Sequence, residues 1–134
     1  MAEPAEIASA LVARCAPIST GSPTLPIAYP ESAATFTPPA DGKYLEVAFF
    51  SNRPAWEGLA SGRMDQGLLQ VTVVWPKNKG ILGPGRHAAS VMAHFPKGLA
   101  LADGVRVSGQ PYASSPLIEA SDVRVPVTIP WTAV

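Results

Sequence analysis

The sequence is poor in cysteine, in charge and in long apolar runs. Cys15 is its one cysteine, so no disulfide can form within the chain, and an oxidising compartment is not implied. Charged residues make up 15% of the 134, ten basic against ten acidic. The chain therefore lacks the positive excess that marks a binder of nucleic acid or of a membrane surface. No apolar stretch approaches the ~20 residues of a membrane-spanning helix. Glu3 and Glu6 stand where a secretory signal would carry basic residues. A protein of the cytoplasm, neither exported nor anchored, is expected. Acidic residues are missing altogether from Gln66 to Ala102, where Lys77, Lys79, Arg86 and Lys97 occur. Few and not interleaved with aromatics, these cations are expected on a solvated loop and helix face.

What is plentiful is apolar material, 47% of residues, and proline, of which there are 15. A chain of this length buries roughly two thirds of its unfolded surface in one core, so one domain over residues 1–134 is expected. Its lightly charged exterior fits a surface partly covered by partners. Within residues 1–16 a helix is predicted from about Pro4 to Cys15: proline costs little in a first turn, and Glu3 and Glu6 suit the positive end. Ile7, Ala8, Leu11, Val12 and Cys15 share one face of it, with Glu6, Ser9 and Ala13 opposite. Pro17 stops this helix, and the six prolines of residues 17–39 force an extended path, with a short edge strand at Ile27-Ala28-Tyr29.

Two strands follow, Tyr44 to Phe50 and Leu68 to Trp75, with Leu69, Val71, Val73 and Trp75 on one side of the second. Between them, Ser51 to Gln66 is too long for a tight turn and reads as a long arm. Its Arg53, Trp56, Leu59, Arg63 and Met64 are candidate interface residues, because tryptophan and arginine anchor protein contacts. A second helix is predicted from about Pro84 to Phe95, with Ala88, Val91, Met92 and Phe95 as its apolar stripe. A short strand through Val105 and Val107 precedes the most regular strand, in which Val123, Val125, Val127, Ile129 and Trp131 face one way. Pro126 and Pro130 share a parity there, so both missing N–H groups lie along one in-plane side. That predicts a sheet edge, or a bulged closing strand, and makes both prolines candidate interface residues. The fold class expected is α+β, a mostly antiparallel sheet of about four to five strands with two helices packed on one face.

Residue sets for chemistry are not assembled. Gly80-Ile81-Leu82-Gly83-Pro84-Gly85-Arg86-His87 has the glycine spacing of a phosphate-binding loop, but Arg86 stands for the lysine that reaches the phosphates and His87 for the magnesium-holding hydroxyl. Pro84 also removes a backbone donor. A connector capping a helix is expected. His87 and His94 share one helix face two turns apart, about 10 Å between backbones, and are expected as partly exposed surface histidines rather than metal ligands. Cys15, on the buried helix face, is expected to be an inert thiol. No Gly-x-Ser-x-Gly elbow and no paired carboxylates appear. No catalytic, cofactor-binding or metal residue is therefore expected, and the chain is not read as an enzyme. A small nucleotide-binding or hydrolytic enzyme built on Gly80 to His87 is the alternative of a different class.

Four phrases in order carry a resemblance: Phe36-Thr37-Pro38-Pro39-Ala40-Asp41-Gly42-Lys43-Tyr44-Leu45-Glu46-Val47; Gly67-Leu68-Leu69-Gln70-Val71-Thr72-Val73; the helix ending at His94-Phe95-Pro96-Lys97-Gly98; and Arg124-Val125-Pro126-Val127-Thr128-Ile129-Pro130-Trp131. Together they resemble the tail-terminator (tail-completion) proteins of long-tailed non-contractile bacteriophages and prophages. The stretch Lys77 to Leu82 departs from the pattern, which has more small residues before the helix. The resemblance implies a structural protein without cofactors that caps the tail tube as a hexameric ring, ends tail polymerisation and presents a head-joining surface. It implies as partners further copies of the chain, the major tail tube protein and the head–tail connector protein, with no membrane and no specific nucleic acid. It places the protein in the virion tail, and in the host cytoplasm during assembly. A head-completion or connector ring protein is the alternative within the same particle.

Overall fold

The computed structural model describes residues 4–15, 25–29, 37, 39–51, 55–56 and 63–133. Helix α1 spans Pro4–Cys15 and α2 spans Leu82–His94. The strands are β1 (Ile27–Ala28), β2 (Tyr44–Ser51), β3 (Ala55–Trp56), β4 (Arg63–Pro76), β5 (Val105–Val107), β6 (Tyr112–Ala113), β7 (Leu117–Ile118) and β8 (Asp122–Ala133). The main path through the sheet is β1-β2-β4-β8-β5; β3 pairs with β4, and β6 and β7 pair with β8. Every pairing is antiparallel except that of β1 with β2. The α+β class holds, with eight strands among the described residues rather than four to five. The additional β3, β6 and β7 have two residues each, too few for alternation to be read.

Alternation decides which side is core. Leu45 and Val47 of β2, Leu69, Val71 and Val73 of β4, and Val125, Val127 and Ile129 of β8 lie opposite one another in register and are all buried. They form one cluster with Ile7, Leu11 and Cys15 of α1 and with Ala88, Val91 and Phe95 of α2, so both helices cover the same face. The helix stripes follow the expected spacing through these residues, but Ala10 and Pro84 are also buried, whereas Ala8, Val12 and Met92 are only partly so. Leu11, Leu45, Leu69, Ile129 and Phe95 are fully buried, and truncating any such side chain costs about 2–5 kcal/mol. On the outer face Arg124 pairs with Glu46 at 2.9 Å, but side chains 30% and 45% exposed make such a pair worth at most about 1 kcal/mol. Helix-side burial, not surface charge, carries the stability. Trp131 adds a close contact: its indole lies over Gly67, where a Cβ would come within 2.7 Å of Cζ2 and 2.3 Å of the Phe50 carbonyl oxygen.

The last strand is not a sheet edge. Over its whole length β8 pairs with β4, from Asp65 opposite Ala133 to Pro76 opposite Asp122. On its other side it pairs in succession with β5 at 131–133, β6 at 127–128 and β7 at 123–124. The gaps between these short strands fall at Pro130 and Pro126. There the proline carbonyls accept from the Ser108 and Ser114 N–H groups, at 3.0 and 2.9 Å. The missing donors do share one in-plane side; that side is covered by strands broken to match them.

The arm is also more regular than expected at its base. β2 runs to Ser51, β4 starts at Arg63, and Ala55 and Trp56 of β3 pair with Met64 and Arg63. The described part of the arm is thus a ribbon extending the sheet, while Arg53 and Leu59 lie outside the described residues.

The two helices are locked at their C-terminal ends. Arg14 donates from Nε and Nη2 to the His94 carbonyl at 3.2 and 2.9 Å, and His94 Nε2–H donates to the Arg14 carbonyl at 2.7 Å. Each helix thereby satisfies a terminal carbonyl of the other, groups that have no partner within their own helix. Arg14→Ala is expected to leave the His94 carbonyl without this partner and to cost about 1–3 kcal/mol, read as a lower urea midpoint with an unchanged slope.

Candidate assembly surfaces

The glycine-rich segment that opens α2 is used for packing. Gly80 has φ +79° and turns the chain after the left-handed Asn78. Gly83 lies against the indole of Trp75, where a Cβ would approach Cζ2 to 2.8 Å. The His87 ring sits 5.0 Å from the Trp75 ring, tilted by 39°, and Lys43 Nζ lies 4.6 Å from the ring centroid of the same indole. The third glycine, Gly85, faces open space. Segment and strand end thus form a stack on Trp75 rather than a row of N–H groups around a phosphate.

The histidines are partly exposed, as expected, but each is held on its inner side. Both are half-buried; the Nδ1 of His87 is enclosed with no hydrogen-bond partner, and His94 is held by the helix lock. Burial pushes His87 below its ordinary range, with the Lys43 charge adding to it. Burial likewise lowers His94, opposed by its bond to the Arg14 carbonyl and aided by the Arg14 charge. Cys15 is buried, and burial pushes its thiol up to about 12, so it stays protonated as expected of an inert thiol. Among the described residues, no group of three or more His, Cys, Asp and Glu could hold a metal ion. No helix among them is long and apolar enough to cross a membrane.

Of the expected interface residues, Trp56 pairs with Arg63 in the β3–β4 ribbon, and Met64 pairs with Ala55 beside them. Pro130 is half-buried and paired with Leu68, and Pro126 is buried and paired with Thr72. The outer sheet face also carries Gln66, Gln70 and Thr132, partly exposed. Sequence reasoning did not identify the exposed apolar groups at the opposite end of the sheet. Ile81 and Leu82 enter α2 and are 55% and 73% exposed, while Leu117 and Ile118 of β7 are 51% and 72% exposed. The signal was an apolar pair at each place, too short to show a period.

A sheet covered by helices on one face, with Gln66, Gln70 and Thr132 partly exposed on the other and apolar groups left at one corner, offers surfaces for protein contact. The family model described as phage tail terminator protein matches residues 6–131. The chain belongs to the phage tail terminator family, a family of structural phage-tail proteins. It is also similar to a solved structure without a descriptive name, at 28% identity and a TM-score of 0.78, covering 96% of this chain and 93% of the other. No curated protein matches it.

Two predictions follow from the Trp75 stack and the histidines. Gly83→Ala is expected to destabilise by about 1–3 kcal/mol through overpacking on the indole, whereas Gly85→Ala, helical and facing open space, is expected to stabilise by about 0.4–1 kcal/mol; urea unfolding of both variants checks this. Since His87 and His94 bind protons less readily folded than unfolded, their contribution is fully present above the unfolded pKa of about 6.5 and is lost as pH falls below it. The urea midpoint should drop between pH 7.5 and 5.5, and drop less in the His87→Gln, His94→Gln double variant.

Proposed function

We infer that this chain closes the tail tube of a long-tailed, non-contractile phage or prophage as a ring of six, ending tube polymerisation and presenting the surface on which the head is joined. The observation that carries this reading is the family match over residues 6–131, nearly the whole chain. The fold is compatible with it. A stiff sheet backed by helices keeps a fixed shape, and subunits repeated around an axis bury unlike patches against each other without any reacting group. In this reading the chain is not an enzyme, and its partners are further copies of itself, the tail tube protein and the head connector protein. Assembly takes place in the host cytoplasm, and the product stays in the virion tail.

The arm is assigned to contact the tube or the neighbouring subunit through Arg53, Trp56, Leu59, Arg63 and Met64. Because β3 and the start of β4 continue the sheet, such contacts would be held by the same ladder that holds the core. Pro130, on the outer face, remains a candidate contact, whereas the burial of Pro126 leaves it little surface to offer.

Phage lacking the chain, complemented with the Arg53→Ala, Trp56→Ala, Arg63→Ala triple variant, should yield overlong tails or tails without heads by electron microscopy. Tails of normal length joined to heads would remove the arm from the mechanism. Wild-type protein that binds purified DNA-filled heads but not tail tubes would overturn the terminator reading in favour of a head-completion ring.

A further inference from the structure

The stack on Trp75 stands where α2 is least secured. Residues 77–82, which lead into the helix, are exposed, and Asn78 and Gly80 turn the chain there with positive φ. The helix start has no side-chain cap and no acidic residue in its first turn. Leu82, Gly85 and Arg86 are exposed as well. The stretch Leu82 to His87 is therefore seated on the sheet by buried Pro84, by Gly83 against the Trp75 indole, and by the His87 ring 5.0 Å from that indole. Of these contacts only that of His87 can take up a proton.

The seat of His87 suits a neutral ring. A charged imidazole carries N–H on both nitrogens, and Nδ1 is enclosed with no hydrogen-bond partner, so its proton would be buried without an acceptor. The charges around the ring oppose ionisation too. Lys43 Nζ lies 4.6 Å from the centroid of the same indole, Arg86 adjoins His87 on the helix, and Lys77 and Lys79 stand in the turn before it. The amide dipoles at the start of α2 act in the same sense. No carboxylate offsets them. α2 itself has none, β4 and β8 turn Trp75, Val123 and Val125 into the core beneath it, and β6 adds the Tyr112 phenol. Of the acidic residues at this end, Asp41 accepts from the Lys43 backbone N–H, Asp122 is bonded to Arg124, and Glu119 is exposed beyond β7. Burial, with the Lys43 charge adding to it, accordingly holds His87 below its ordinary range.

We propose that Trp75, Lys43 and His87 form a proton-sensitive latch on the start of α2, closed while His87 is neutral and loosened when it takes a proton. Once Leu82 to His87 lift from the sheet, the ring ionises at its ordinary value of about 6.5. The seated ring resists the proton, so the latch is at full strength above that value and weakens as pH falls below it. Between about pH 7.5 and 5.5 this linkage raises the local opening constant by up to about tenfold. The segment that lifts carries the exposed Ile81 and Leu82, so the surface shown at this corner depends on pH. The latch stands independently of the tail-terminator reading.

Hydrogen exchange of the full chain in graded, sub-denaturing urea tests it. The amides of Gly85 to Ala88 should exchange through a local opening, recognised by a urea slope well below that of the β4 and β8 amides. The constant for that opening, corrected for intrinsic exchange rates, should rise about five- to tenfold from pH 7.5 to 5.5, and should change less than about twofold in His87→Gln. Imidazole NMR, with the two rings told apart by His94→Gln, should place the His87 midpoint below about 6.5. A urea slope equal to that of the core strands, a constant that is flat with pH, a rise retained in His87→Gln, or a His87 midpoint at or above about 6.5 would each overturn the latch. All four outcomes leave the tail-terminator reading untouched, since tail length and head joining test that separately.

Discussion

The rest of the structure depends on how β8 tolerates two prolines while lying inside the sheet. One side of β8 has an unbroken run of donors and pairs with β4 along its full length. The other side lacks donors at Pro126 and Pro130, and a single long strand there would leave its own carbonyls unpartnered. The chain meets this by supplying three short strands with breaks at the prolines, whose carbonyls still accept from Ser114 and Ser108. A long edge is thereby replaced by three segments, each a poor template for indiscriminate strand pairing. Blocking of the kind expected at an edge is achieved one strand further in.

With β8 fixed on both sides, its odd-numbered side chains meet those of β4 and β2 and define the floor on which both helices lie. The lock between Arg14 and His94 then sets the C-terminal ends of α1 and α2 against each other. At the other end of α2 there is no side-chain cap and no acidic residue in the first turn. Its position is set instead by Gly83 on the Trp75 indole, so the helix start is held by shape and not by a side-chain cap. Leu82 and Ile81, adjacent to that contact, are left outside it.

Much of this was legible in the sequence, and the remainder was not, for identifiable reasons. The helix bounds and stripes followed from spacing, since Ile7, Leu11 and Cys15, or Ala88, Val91 and Phe95, repeat with the helical period. The long strands followed from alternation, and the common side of Pro126 and Pro130 from parity alone. Parity says which side lacks donors, but not what the chain places there: Tyr112–Ala113 and Leu117–Ile118 are too short to announce themselves and are held only by register with β8. His87 and His94 are partly exposed, as their place off the apolar stripe implied, but what they touch was not legible. Trp75 and the end of α1, both distant in sequence, half-bury them. The apolar corner was invisible for the same reason, since 81–82 and 117–118 become neighbours only through Trp75 and Val123.

The glycine-rich segment shows how one spacing can serve two unrelated purposes. A phosphate-binding loop needs glycine so that backbone donors can surround a ligand; here Gly83 is needed so that backbone can approach an indole. The two uses are distinguished by what stands opposite the glycine. Trp75 occupies the space at Gly83, and His87, where the magnesium-holding hydroxyl would be, rests on that same ring. Lys43 also lies over the indole, so cationic and aromatic groups at this end are already committed to one another. What the stack leaves exposed is its rim, Lys79 and Arg86 and the apolar residues beside them. A protein that acts by assembling with others needs a rigid base beneath such a rim, because an anchor that must first be ordered on binding loses affinity to that ordering.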